Sequence, residues 1–132
     1  MKHLPMGELC ASTTADAHGI KNTPPLQEAG NLKALADNVL DPLREWYGKP
    51  VTVNSGYRCP QLNRLVGGAA NSQHLKGEAA DITAGRREEN RKLFEYIRGH
   101  LPFDPLIDEK NFSWVHVSYK RDGNNRKQIL KL

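Results

Sequence analysis

A chain of 132 residues, 38% hydrophobic and 26% charged, has the length of one ordinary domain and can bury a core without disulfide staples. Lys plus Arg exceed Asp plus Glu by 19 to 15, an excess that would suit an anionic partner such as a nucleic acid, an anionic membrane or an acidic cell-wall polymer. The densest charged run, "GRREENRK" at 85–92, mixes both signs like a solvated helix face, so no nucleic-acid partner is expected. No stretch approaches the ~18 apolar residues of a membrane span. The amino terminus, "MKHLPMGELC", lacks the apolar core of a secretory signal. Cys10 and Cys59 show no CxxC spacing and read as two idle thiols.

In chain order, a short helix is predicted around Gly7–Ala15, then an irregular loop, "HGIKNTPP". Leu32, Leu35, Val39, Leu43 and Trp46 recur at steps of three and four, which predicts an amphipathic helix from Glu28 to Tyr47. Pro42 should kink or interrupt it, and Gly48 with Pro50 should end it. "VTV" (51–53) predicts a strand, "NSGYRCP" (54–60) a loop, and Gln61–Leu65 a helical turn before the glycine-rich "VGGAAN". "AADITA" (79–84) predicts a buried strand, and Arg86–Gly99 a second amphipathic helix with Leu93, Phe94 and Ile97 inward. "PLIDE" (105–109) is a candidate strand. In "SWVHVSY" (113–119), Trp114, His116 and Ser118 share one face and Val115, Val117 and Tyr119 the other. "RDGNN" supplies hairpin-turn residues, and "KQILKL" returns as the last strand. Helices early and strands late predict an α+β domain with a small, mostly antiparallel sheet.

"NSQHLKGEAADI" (71–82) sets His74 and Asp81 among small, flexible residues. A catalytic zinc takes three protein ligands from His, Asp, Glu or Cys and leaves one position for water. His116, mid-strand among packing residues, is the candidate for the third. Two imidazoles and one carboxylate suit a borderline-soft dication and leave it net positive charge. From spacing alone, a hydrogen-bonded strand histidine and a turn-capping aspartate compete with that reading.

Ser72, His74, Gly77, Ala79 and Asp81 reproduce S-x-H-x-x-G-x-A-x-D, which resembles the signature of the zinc D-alanyl-D-alanine carboxypeptidases. That family shares its fold with the hedgehog signalling domain and includes phage and bacterial peptidoglycan endopeptidases. The similarity extends through "VNSGYRCPQLNRLVGGAANSQHLKGEAADI" (53–82), "SWVHVSY" and "LADNVLDPLREWYG". It implies a hedgehog/DD-peptidase-like α+β fold, helices flanking the sheet, over a single domain 1–132. It also implies one Zn2+ held by His74, Asp81 and His116. Arg58 matches an arginine that faces the substrate's terminal carboxylate, and Ser72 a serine that hydrogen-bonds in the substrate cleft. Many members carry the catalytic acid three residues before the last histidine, where this chain has Ser113. By analogy with members that take it from a segment like "LIDE", the base would be Glu109, with Asp108 in reserve. Adjacent strand residues face opposite ways, so only one of them can serve.

The resemblance thus implies a monomeric zinc metallopeptidase that hydrolyses peptidoglycan stem peptides, as a D-Ala-D-Ala carboxypeptidase or an endopeptidase, including a phage-type lysin. It would act on the cell wall, in the periplasm or outside the cell, after synthesis in the cytoplasm and release. The competing readings are a non-catalytic zinc-containing domain that binds peptidoglycan or a protein partner, and a nucleic-acid-binding module suggested only by the basic charge.

Overall fold

The stripe of Leu32, Leu35, Val39 and Leu43 is fully buried and forms one wall of the core. The structure is a computed structural model that describes residues 6–132; residues 1–5, half of the amino terminus read for a signal sequence, lie outside the described residues. Where the sequence predicts one helix over Gly7–Ala15, two form: α1 (Met6–Cys10) and α2 (Thr13–Ala17). Ser12 divides them, because its Oγ accepts a hydrogen bond from Ala15 N at 3.0 Å and caps a new helix.

α3 (Leu26–Leu35) passes through a π-helical turn (Ala36–Leu40) into α4 (Asp41–Tyr47). Pro42 therefore neither ends nor breaks the helix. A proline ring crowds the carbonyl four residues back, and the wider turn makes room, with Asp41 N bonding Ala36 O five residues back. Gly48, at φ 71, closes α4 in the left-handed region. Trp46 leaves the buried stripe. It is 47% exposed and lies flat on Tyr96 of α6 (Arg87–His100), with 4.1 Å between ring centroids.

The strands are β1 (Thr52–Ser55), β2 (Ala79–Thr83), β3 (Pro105–Glu109), β4 (Trp114–Ser118) and β5 (Gln128–Lys131), in the sheet order β1-β2-β4-β3-β5. Every pairing is antiparallel except β3 with β5. The class is α+β with a mostly antiparallel sheet, as predicted. Val115 and Val117 of β4 point into the core with Ile82, Leu106, Leu93, Phe94 and Ile97, which leaves His116 on the other sheet face.

The predicted hairpin from β4 into the last strand does not form. Both edges of β4 are occupied, by β2 and β3, so no position beside it remains. Residues 119–127 instead cross to the start of β3. Fully buried Asp104 anchors them, accepting hydrogen bonds from Arg126 N at 2.8 Å, Arg126 Nε at 2.9 Å and Arg126 Nη2 at 3.0 Å. Gln128 N then bonds Asp104 O, and β5 runs parallel to β3.

Burial alone would raise the Asp104 carboxyl, but hydrogen bonds from Arg126 and Gln73 and the Arg126 charge outweigh it and hold the pKa at about 2. A folded-state pKa below the ordinary 3.8 contributes stability that is complete above that value and lost as pH falls toward 2. The urea midpoint should therefore hold steady near neutrality and decline through this acid window. Asp104→Asn should lower the midpoint at neutral pH and flatten the decline, leaving the share due to the other carboxylates held low, Asp81, Glu89 and Asp37; an identical acid limb in the variant would contradict the assignment.

Candidate metal centre

His74 sits in a 3-10 turn (Gln73–Lys76) between α5 (Pro60–Leu65) and β2. Ser72 starts the turn, its Oγ accepting from His74 N at 3.2 Å, and Gly77 ends it at φ 71. A Cβ on Gly77 would also lie 2.4 Å from Glu28 O of α3, so two separate constraints demand glycine there. Ala79 is fully buried at the start of β2, where a larger side chain would have to displace the core. The small residues between His74 and Asp81 are thus packing requirements that fix where the two polar groups point.

Asp81 and His116 are direct cross-strand partners on β2 and β4. Asp81 Oδ1 lies 3.0 Å from His116 Nδ1, and Asp81 Oδ2 lies 3.4 Å from His74 Nε2. One ligand atom from each of the three residues falls within 4.8 Å of the others. His74 is 2% exposed, and its Nδ1 donates to Gly56 O at 2.7 Å, which turns Nε2 toward Asp81. His116 presents Nδ1, while its Nε2 lies 2.9 Å from Oγ of the fully buried Ser118. Burial would raise the Asp81 carboxyl, yet hydrogen bonds from both imidazoles and their charge hold it well below the usual carboxylate range.

This donor set fits zinc. Two imidazole nitrogens and one carboxylate oxygen lie within 4.8 Å of one another, the neighbourhood of the about 3.3 Å that separates ligands standing about 2.0–2.1 Å from a tetrahedral ion. The Gly56 carbonyl fixes the proton of His74 on Nδ1, and Ser118 Oγ orients the His116 ring, so both rings are held by the protein.

The strand register separates the two candidate acids. Ile107 pairs with His116 and Glu109 with Trp114, so Glu109 shares the face of His116 and Asp81. Burial raises the Glu109 pKa, and the Asp81 charge adds to the rise while His116 opposes it. Asp108 pairs with Val115 on the core face, 5% exposed, and its Oδ1 accepts from Phe112 N at 2.6 Å. That bond holds a loop in which Lys110, Asn111 and Phe112 all have positive φ, so Asp108 has a structural task.

Arg58 lines a cleft of about 270 Å³ with Asp81, Asn54, Ser55 and the Thr13–Thr14 end of α2. Its backbone N bonds His74 O at 3.1 Å, its Nη1 donates to Asn63 Oδ1 at 3.1 Å, and its buried Nε has no hydrogen-bond partner among the described residues. Ser72 and His116 line a second cleft of about 370 Å³. Cys10 and Cys59 are free thiols packed at the edge of the core.

The sequence pattern of the family described as peptidase M15 matches residues 2–118. The chain belongs to the peptidase M15 family. A 37-residue stretch is 57% identical to the zinc D-Ala-D-Ala carboxypeptidase of Streptomyces albus G, covering 28% of this chain and 14% of that protein. The chain spans less than two thirds of the length of that relative. Membership of peptidase M15 and this relative support a zinc metallopeptidase with a single ion, as the motif resemblance implied.

Sequence reading missed two contributors. Gly56 acts through its backbone carbonyl, which leaves no side-chain signal. Ser118 was legible, since a period of two puts it on the His116 face. Gly77→Ala should cost about 1–3 kcal/mol of unfolding free energy, read by urea titration, from left-handed strain and the Glu28 clash; a variant as stable as the parent would refute the close approach.

Proposed function

We propose that the chain is a zinc-dependent peptidase that hydrolyses peptide bonds in peptidoglycan stem peptides, of D-Ala-D-Ala carboxypeptidase or endopeptidase type. The observation that carries this reading is the convergence of His74, Asp81 and His116 on the sheet face that also bears Glu109 and opens onto the Arg58 cleft. In this reading the fold is the hedgehog/DD-peptidase type, the chain acts as a single domain and a monomer, and its place of action is the cell wall.

His74 through Nε2, Asp81 through a carboxylate oxygen and His116 through Nδ1 would hold the ion. The chemistry such an ion would supply is polarisation of the scissile carbonyl and a bound water with a pKa of about 7. Glu109, its proton affinity raised by burial, takes the attacking water's proton on a carboxylate oxygen and passes it to the leaving amine nitrogen. Arg58 receives the carboxylate of the substrate's terminal residue through the fork of its guanidinium, which Asn63 Oδ1 steadies at Nη1. Holding that end fixed keeps the carbonyl beside the water, which removes several kcal/mol from the barrier. Ser72 lines the His116-side cleft and hydrogen-bonds the peptide there, while its Oγ also caps the His74 turn.

Three measurements test this. Alanine at His74, Asp81 or His116 should abolish stoichiometric zinc in elemental analysis, and full retention by all three would end the proposal. Glu109→Gln should keep the metal and lose cleavage of purified peptidoglycan by at least about a hundredfold, whereas Asp108→Asn should lose stability instead. EDTA should silence the wild type and added zinc restore it, with mass spectrometry of the released muropeptide fragments naming the bond cut.

A further inference from the structure

One row of cross-strand partners crosses the whole sheet: Ser55, Asp81, His116, Ile107 and Leu130, one from each strand. Paired residues point the same way, so this row and its neighbours form a continuous floor. The Arg58 cleft lies over the β1–β2 end and includes Ser55 and Asp81. The second cleft lies over the β3–β5 end and includes His116, Ile107 and Leu130. The metal centre stands where they meet, so the floor continues well beyond it on the His116 side.

That side is cationic. Lys76, Lys120 and Arg126 line it, and no Asp or Glu does. Arg126 is matched by Asp104 beneath it. Lys76 and Lys120 form no ion pair among the described residues. Lys120 is held in place by its loop: its N–H donates to Asn125 Oδ1 at 2.8 Å, and its carbonyl accepts from Asn125 Nδ2 at 3.2 Å. The crossover that places β5 beside β3 builds this half of the floor, and a β4–β5 hairpin would have left it open.

We infer that the His116-side groove binds the part of a peptide substrate upstream of the scissile bond, and that Lys76 and Lys120 select an acidic group on it. The inference rests on the peptidase reading, in which Arg58 takes the downstream carboxylate and so fixes the direction of the chain. From β4 to β5 is two strand spacings, about 10 Å, and an extended peptide advances about 3.4 Å per residue. The groove therefore accommodates about three residues upstream of the cut. The substrate class is an oligopeptide with a free carboxylate within those three positions; a bare dipeptide leaves the groove unused.

The test measures binding, so its failure is separable from failure to cleave. N-acetylated tetrapeptides ending in D-alanine, with alanine at the other positions, carry either glutamate or glutamine as the first, second or third residue upstream of the scissile bond. Their affinities for the zinc-loaded Glu109→Gln protein are read by calorimetry, with peptide integrity checked by mass spectrometry. At one of the three positions glutamate should bind tighter than glutamine by on the order of five- to tenfold, the scale of two partly exposed charge contacts. In the Lys76→Gln/Lys120→Gln protein that ratio should fall to near one. Equal affinities at all three positions, or a preference that survives both substitutions, would overturn the inference. Loss of cleavage by wild type with the binding preference intact would instead count against the peptidase reading.

Discussion

The pairing of Asp81 with His116 across β2 and β4 is the constraint on which the site depends. It brings a carboxylate and an imidazole within 3.0 Å on the solvent side of the sheet, while their neighbours Ala80, Ile82, Val115 and Val117 are locked into the core. A slip of β4 by one residue would turn His116 to the wrong face and expose the valines, so the hydrophobic core enforces the geometry of the polar site. His74 then needs only a short turn against the same strand, set by Ser72 at one end and Gly77 at the other.

The same sheet ranks the acids and shapes the clefts. Glu109 and Asp108 are adjacent in sequence, yet one shares the sheet face of the candidate metal centre and the other caps a strained loop on the core side. Likewise, β5 joins β3 because buried Asp104 gathers Arg126 and the chain that follows it. A buried carboxylate with three bonds to one arginine residue thereby decides the extent of a surface groove about 10 Å wide. Structural and functional groups interleave on this sheet.

Much of this was legible in the sequence, and the gaps have physical reasons. The β3 segment Pro105–Glu109 and the alternation of β4 could be read directly, since a period of two needs no tertiary information. So could the candidate ligand trio, once the motif resemblance joined His116 to His74 and Asp81. Strand partners could not be read: "RDGNN" carries hairpin residues, but local turn chemistry does not reveal that both edges of β4 are taken. Pro42 was expected to kink or interrupt a helix, and the chain passes it through a single widened turn. The Gly56 carbonyl that orients His74 was out of reach because backbone groups look alike in every sequence.

The most direct measurement is anomalous diffraction at the zinc absorption edge from crystals grown with the metal. One strong peak is expected, bounded by His74 Nε2, an Asp81 carboxylate oxygen and His116 Nδ1, with Gly56 O and Ser118 Oγ still on the far nitrogens of the rings. A peak elsewhere, or zinc held at that point without one of those three side chains, would contradict it.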